Sequence, residues 1–385
     1  MRRNRLVLLV LWLLSLIGIS LAGGEITYGI FFLLTLIPVV SALYIFIVTQ
    51  LFKIYQNVEG TNLTANHPAV FSFVLQNESF VLFSGIRVLF YSSFSEISGL
   101  SDQTEYELLP HDGIRKKTDI VCHYRGEYEI GIRTIEITDF FRLFTFAYRN
   151  PEPKKVMVKP AVIHLSELKS FDLPQSSLRE SRLNPTEADL TLREYVPGDD
   201  PRMIHWKATA AAEKLMVRER IGEQQEGISV LLDPHRYGTA MEDCLPLENK
   251  MLETLIAVNL FLSGKGIPVE TYFLENGLQI CEINRGSGFD GLYERMSFYR
   301  FDTEYGMEHL YEEVMRKAAI LNRQAVFLIL HEWDAKAERF AGELNRHHVS
   351  VTAYVVTDDE VSFENDLSRT RVIRIPTDAD LSGVM

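Results

Sequence analysis

The spacing of apolar residues changes character twice along the chain, and each change marks a different kind of element. Residues 6–24, "LVLLVLWLLSLIGISLAGG", and residues 30–52 are near-continuous apolar runs separated by "EITYG". Crossing the hydrocarbon core of a bilayer takes about 20 helical residues, so the second run has the length of a transmembrane helix. The first is shorter. Its basic start, "MRRNR", and its "SLA" ending at Ala22 also have the form of a signal peptide, but a second run so close behind favours a two-helix hairpin. Either way the rest of the chain is predicted to face the cytoplasm. Arg2, Arg3 and Arg5 hold the N-terminus inside, the short loop lacks Lys and Arg, and the second helix returns near Lys53. Pro38 is tolerated in a membrane helix and implies no function by itself.

From about residue 57 to 160 the pattern alternates with period two, the mark of half-buried strands. "AVFSFVLQN", "GIRVLFYSS", "TEYELLP", "TDIVCHYRG", "EYEIGIRTIEITD" and "LFTFAYR" each read as one strand, with turns at Asn77-Glu78, at residues 110–113 and at Arg125-Gly126. Short strands at regular spacing predict an antiparallel, sandwich-like domain, a spacer or interaction module rather than a catalytic one. Phe140, Phe141, Phe144 and Phe146 are read as core or domain-junction packing.

A polar stretch with Pro174 and Ser176-Ser177 follows, and then strands and helices alternate. "GISVLLD" and "AVFLIL" are the continuous apolar runs of strands buried on both faces. "LENKMLETLIAVNLFLSGKG" is a helix with Met251, Leu255, Val258 and Leu262 on one stripe. "VETYFL" and "LQICEI" flank Asn276-Gly277, a hairpin signal. Helices near residues 292–298, 307–321 and 334–348 and strands "VSVTAYVVT" and "RVIRI" complete a mostly parallel sheet with helices on both faces. The predicted organisation is a hairpin over 1–54, a β-domain over 55–165, a linker over 166–190 and an α/β domain over 191–385.

Charge and cysteine content narrow the function. The formal charge is −13; the hairpin, with Arg2, Arg3, Arg5 and Glu25, accounts for +2, so the remainder carries −15. A body that acidic lacks the basic footprint of a nucleic-acid binder. Three cysteines, Cys122, Cys244 and Cys281, with no CxxC spacing, argue against a disulfide framework and a cysteine zinc site.

The densest chemistry lies in "LREYVPGDDPRMIHWKATAAAEKLMVRE", residues 192–219. Pro197-Gly198 suits a type II turn running into Asp199. Asp200 stands where a helix N-cap belongs and Pro201 at the first helical position. A short helix over 201–213 and a strand over 214–219 follow. A metal site could use Asp199, Asp200 and His205, and an acid–base site His205 with Asp199. Neither has the further ligands, nucleophile or oxyanion hole it would need. The preferred reading is structural and interactive: Arg193, Tyr195, Arg202, Trp206, Lys207, Arg218 and Glu219 form a network locking the helix and turn to the sheet. Arg202 and Trp206, four residues apart, can stack as a cation–π pair. A buried Trp206 ring would make Trp206→Ala cost about 3 kcal/mol.

This stretch closely resembles the signature of the family called domain of unknown function fifty-eight, R-x-Y-x-P-G-D-D-x-R-x-I-x-W. "RGEYEIGIRTIEITDFFRLF" is similar to the family's upstream segment. The resemblance implies a membrane-anchored protein with a cytoplasmic von Willebrand factor A-like domain. It also implies partnership with a MoxR-type AAA+ ATPase in the assembly or maturation of a client protein. Ala211 stands where the family usually has an arginine. The order of strands and helices also resembles the von Willebrand factor A fold. In metal-binding members of that fold, Asp-x-Ser-x-Ser after the first strand helps hold Mg²⁺ through oxygen ligands. Here the matching positions are Asp233, His235 and Tyr237, and His331 stands where a later aspartate belongs, with Glu332 and Asp334 nearby. That set is degenerate, so no resident cofactor is predicted. No GxxxxGK[ST] loop is present. The sequence therefore predicts a membrane-anchored, non-enzymatic adaptor. The alternatives are a divalent-cation-dependent ligand binder centred on Asp233 and a hydrolase using His205.

Overall fold

The computed structural model describes residues 2–60, 62–168, 190–194, 206, 209–210, 214–220, 227–284, 287–317, 319–359 and 369–384. It divides into two compact units, Met1–Ala161 and Val162–Met385. The second unit thus begins well before residue 191. Val162, Ile163 and Leu165, read as the end of the β-domain, pack against the core of this second unit, and Leu168 of the expected linker is buried in it.

In the first unit, α1 (Arg2–Ala22) and α2 (Glu25–Leu51) form an antiparallel hairpin turned at Gly23. Trp12 Nε1 donates to Thr35 Oγ1 at 3.0 Å between them. Both helices are long and apolar enough to cross a membrane, and α2 runs unbroken through Pro38. Their surroundings differ. No described side chain of α1 is buried, whereas α2 buries Ser41, Tyr44, Ile45 and Val48. This i, i+3, i+4, i+7 stripe packs on a body rather than facing outward. The Tyr44 hydroxyl accepts the Ser84 N–H at 2.8 Å and donates to the Leu82 carbonyl at 3.2 Å. The last two turns of α2 therefore belong to the β-rich body, and the apolar run over 30–52 is not one uniform segment.

Strands follow in the order β1 (Phe52–Val58), β2 (Leu63–Thr64), β3 (Pro68–Asn77), β4 (Phe83–Phe90), β5 (Ser95–Ile97) and β6 (Glu105–Leu108). They continue with β7 (Gly113–Cys122), β8 (Gly126–Ile130), β9 (Ile132–Thr138), β10 (Thr145–Arg149) and β11 (Lys154–Lys159). Two four-stranded antiparallel sheets, β1-β3-β7-β5 and β10-β9-β4-β6, are joined by a three-stranded one, β2-β11-β8. The inward residues alternate as predicted: Phe71 and Phe73 of β3 meet Phe90 of β4, with ring centroids 6.4 and 5.9 Å apart. One expected strand, "EYEIGIRTIEITD", is two. Gly131, at φ +80°, turns the chain between β8 and β9, and a Cβ there would lie 2.5 Å from Gln56 Oε1. Phe140, Phe141, Phe144 and Phe146 are exposed and not part of the core, although Phe140 packs on Tyr44 of α2 at the junction with the hairpin. The reason is local. The buried Asp139 carboxylate accepts the N–H groups of Phe141, Leu143 and Phe144 at 2.7–3.0 Å, forming a tight turn that directs the rings outward.

In the second unit, β12 (Leu190–Glu194) and β13 (Met216–Arg220) pair as an antiparallel ribbon; the sequence reading had only the second. The main sheet comprises β14 (Ile228–Leu232), β15 (Val269–Leu274), β16 (Leu278–Ile283), β17 (Ala325–Leu330), β18 (Ser350–Val356) and β19 (Thr370–Ile375), in the order β16-β15-β14-β17-β18-β19. All neighbours are parallel except β15 and β16, which the hairpin at Asn276 (φ 54°) and Gly277 (φ 117°) forces to be antiparallel. Alternate residues of each central strand feed two cores. Val230, Phe327 and Tyr354 meet α3 (Met241–Gly264), α4 (Phe289–Phe298) and α7 (Leu381–Val384). Leu231, Leu328 and Ala353 meet α5 (Met307–Lys317) and α6 (Ala335–Arg346). Helices thus cover both faces, which is why these strands read as continuous apolar runs.

Candidate functional site at the strand ends

In an open parallel sheet the carboxyl ends of the strands are the usual place for a ligand. Here the segments that leave β14 and β17 at that end meet the N-terminal turns of α5 and α6. Between them lies a cavity of about 280 Å³ whose lining includes Asp233, His235, Tyr237, Glu308, Tyr311, Glu332 and Lys336. Asp233 follows the last residue of β14 and is 1% exposed. Its carboxylate accepts the His235 N–H at 3.0 Å and the Tyr237 hydroxyl at 2.9 Å, one on each oxygen, and the His331 backbone adds to this set. Burial nevertheless holds the carboxyl above the ordinary carboxylate range. Burial and the adjoining Asp233 charge push the Tyr237 hydroxyl up as well, so Tyr237 is a donor at neutral pH.

Rings close this arrangement. Tyr237 lies 4.7 Å from His235 edge-on and 4.1 Å from His331 between centroids. The His331 Nδ1–H is aimed at the Val356 carbonyl, 2.9 Å away, fixing that ring to the end of β18. Arg236 makes two bonds to the buried Glu248 carboxylate of α3, at 2.6 and 3.2 Å, and so anchors the 233–237 loop from behind. At the rim, Lys336 and Glu308 form an exposed ion pair at 2.7 Å. Two buried polar atoms lining the cavity, the Tyr311 hydroxyl and His235 Nδ1, have no hydrogen-bond partner among the described residues.

The donor set does not suit a hard divalent cation. A Mg²⁺ site needs several converging oxygens, and each Asp233 oxygen is already held by one of the chain's own donors. Asp334 caps α6 by accepting the Lys336 and Ala337 N–H groups at 3.1 and 2.8 Å. Among the described residues no three His, Cys, Asp or Glu side chains converge as a metal would require.

The site residues read from the signature fare differently. Tyr195, Pro197, Gly198, Asp199, Asp200, Arg202, His205 and Lys207 lie outside the described residues. Arg193 lies on β12, and Arg218 and Glu219 lie on β13, where the backbones pair Leu192 with Arg218 and Thr191 with Glu219. Thr209 accepts the Met216 N–H on its hydroxyl at 3.0 Å, tying the end of the short helix to β13. Trp206 is helical, as expected, but 69% exposed. That corrects its reading as a buried lock and removes the reason to expect a loss of about 3 kcal/mol on truncation. Asp233, His235 and Tyr237, read from the sequence as a degenerate cation position, all line this cavity. Sequence reasoning missed Tyr311 and Arg236. Tyr311 sits among the apolar stripe residues of α5 and shows no separate signal, whereas Arg236 and Glu248, twelve apart, become partners only through the loop.

A family model described as protein of unknown function DUF58 matches residues 191–262. No curated protein matches the chain. Among solved structures, the cupredoxin domain of amoB from Nitrosocaldus yellowstonii is similar at 8% identity and a TM-score of 0.22, covering 33% of this chain and 97% of that one. A CARDB domain from Pyrococcus furiosus is similar at 12% identity and a TM-score of 0.19, covering 28% and 86%. A FixG-related protein from Vibrio parahaemolyticus is similar at 9% identity and a TM-score of 0.20, covering 28% and 97%. Scores this low establish no shared fold.

Proposed function

We propose that this chain, which carries a DUF58 domain over residues 191–262, is a membrane-anchored adaptor rather than an enzyme. Its α/β unit is read as von Willebrand factor A-like. The strand order, with its one antiparallel strand at the edge beside β15, supports that reading. The observation that carries the adaptor role is the state of Asp233. A catalytic or metal-holding carboxylate presents itself to substrate or ion, whereas Asp233 is buried and each of its oxygens already accepts a bond from its own loop. What remains accessible at the strand ends is a rim of exposed Glu308, Glu332 and Lys336 around a small cavity, which suits recognition of a protein surface.

The partner inferred from the signature is a MoxR-type AAA+ ATPase, which would supply the ATP hydrolysis that this chain lacks the loop for. In this reading helices α1 and α2 anchor the complex, and the arginines at the start of α1 support a cytoplasmic side for the soluble units. Affinity purification of the full chain from detergent-solubilised native membranes tests the role. The expected result is an AAA+ ATPase in the eluate, its yield changed by ATP. No such ATPase in either condition would falsify the adaptor reading.

A further inference from the structure

Three turns of the β-domain lie at one end of its sheets. Residue 52, where α2 enters β1, pairs with Asn77. The β3–β4 turn therefore starts beside the helix. Gln76 pairs with Gly113, Phe83 with Leu108 and Thr138 with Thr145. The turns over 78–82, 109–112 and 139–144 thus share that end. Buried Asn77 binds the first two together, donating to the Val81 carbonyl at 2.8 Å and the Leu109 carbonyl at 3.0 Å.

Each of the three turns exposes large apolar side chains: Phe80 at 84%, Leu109 at 62%, and Phe140, Phe141 and Phe144 together. Elsewhere among the described residues of the β-domain, the large apolar residues this exposed are Tyr55 and Phe146, both within strands. The turns at the opposite end carry none. Scattered exposed apolar residues are ordinary, but segregation to one end is a surface with a purpose.

The hairpin fixes what meets that surface. Phe140 packs on Tyr44 of α2, centroids 4.8 Å apart. At the start of α1, Asn4 donates to the Phe141 carbonyl at 2.9 Å and the Arg5 guanidinium lies 5.5 Å from the centre of the Phe144 ring. From Leu6 on α1 and back from Phe46 on α2, the helices expose a largely apolar surface. Phe46 is two residues from Tyr44, which meets Phe140, so that surface begins near the level of the three turns. Phe and Leu side chains beside an arginine at such a level suit shallow burial at the headgroup–acyl boundary.

We propose that these three turns form a foot that rests in the headgroup–acyl boundary of the leaflet from which the hairpin emerges. This rests on reading α1 and α2 as membrane spans. The foot holds the β-domain flush against the bilayer instead of letting it swing on a tether. Asp139 and Asn77 preorganise it by holding the turns with buried hydrogen bonds, so the rings are presented without a folding step.

The test uses the full chain in phosphatidylethanolamine–phosphatidylglycerol vesicles, with Trp12, Trp206 and Trp333 replaced by phenylalanine. Single reporters Phe80→Trp, Leu109→Trp and Phe141→Trp are compared with Leu33→Trp on α2 and Leu100→Trp at the opposite end of the β-domain. The three foot reporters should emit blue-shifted in their apolar surroundings and be quenched by lipids brominated near the headgroup end of the acyl chain, Leu33→Trp should be quenched by lipids brominated near the chain end, and Leu100→Trp should be unchanged by either. Quenching at Leu33→Trp with none at the foot overturns the foot while keeping the spans. No quenching at Leu33→Trp overturns both. Equal quenching at Leu100→Trp also overturns the foot, because contact would then not be confined to one end.

Discussion

Asp233 keeps a proton longer in the folded chain than it would in water, because burial disfavours its charge more than Tyr237 and the backbone donors restore it. The consequence for stability has a definite sign. Below the unfolded-state pKa both states are protonated and the contribution is fully present. As pH rises through the folded-state pKa, that contribution is lost. Asp233→Asn has no proton to lose. Melts across pH are therefore expected to move in favour of the variant as pH climbs from about 4 upward; parallel curves would show that Asp233 is not held in this state. The same residue shows what a sequence can and cannot disclose. The Asp-x-His-x-Tyr spacing after an apolar strand was visible, and so was its mismatch with a cation site. That Tyr237 would turn back onto Asp233 was not, because nothing in a tyrosine's position says which way its hydroxyl points. Trp206 is the opposite case: its company of arginines suggested burial, but an aromatic among basic residues serves an exposed contact surface equally well.

At the level of elements, strands with both faces covered were the most legible. β14 and β17 are buried throughout and, Ser229 apart, apolar, because each face meets its own helices. The β-domain was read well where alternation was regular and poorly around Gly131, where the apolar positions change phase from 128, 130 and 132 to 135 and 137 without any turn residue but that glycine. Gly85 is a second such point. It lies in β4 at φ +64°, where the register with β6 shifts, and a Cβ there would approach the Thr138 carbonyl oxygen at 2.6 Å. The neighbour is backbone, so it has little room to yield. Gly85→Ala is expected to lower stability by more than about 1 kcal/mol, seen as a lower melting midpoint in detergent; an unchanged midpoint would mean that the bulge is not as tight as described. Helix α2 carries a different lesson. Hydropathy alone does not separate turns that face lipid from turns that pack on protein, and Tyr44, Ile45 and Val48 are apolar for the second reason.

For the whole molecule, the order hairpin, β-domain, α/β unit was legible from three distinct periodicities, while the boundary at Val162 was not. Val162, Ile163 and Leu165 are too few to register as an element, though they pack against the second core. The predicted sidedness has a direct check. Protease added to inside-out membrane vesicles should remove both soluble units, and right-side-out vesicles should protect them; the reverse would place the units outside the cell, away from any cytoplasmic ATPase. The central claim is narrower: the carboxyl ends of the parallel strands are a docking face for an AAA+ partner. A photo-crosslinking amino acid at Glu332, on that rim, tests it in the native membrane, with Arg346 at the far end of α6 as the control position. The account predicts an ATP-dependent adduct with an AAA+ ATPase from position 332 and none from 346. No adduct at 332, or equal adducts at both, would contradict it.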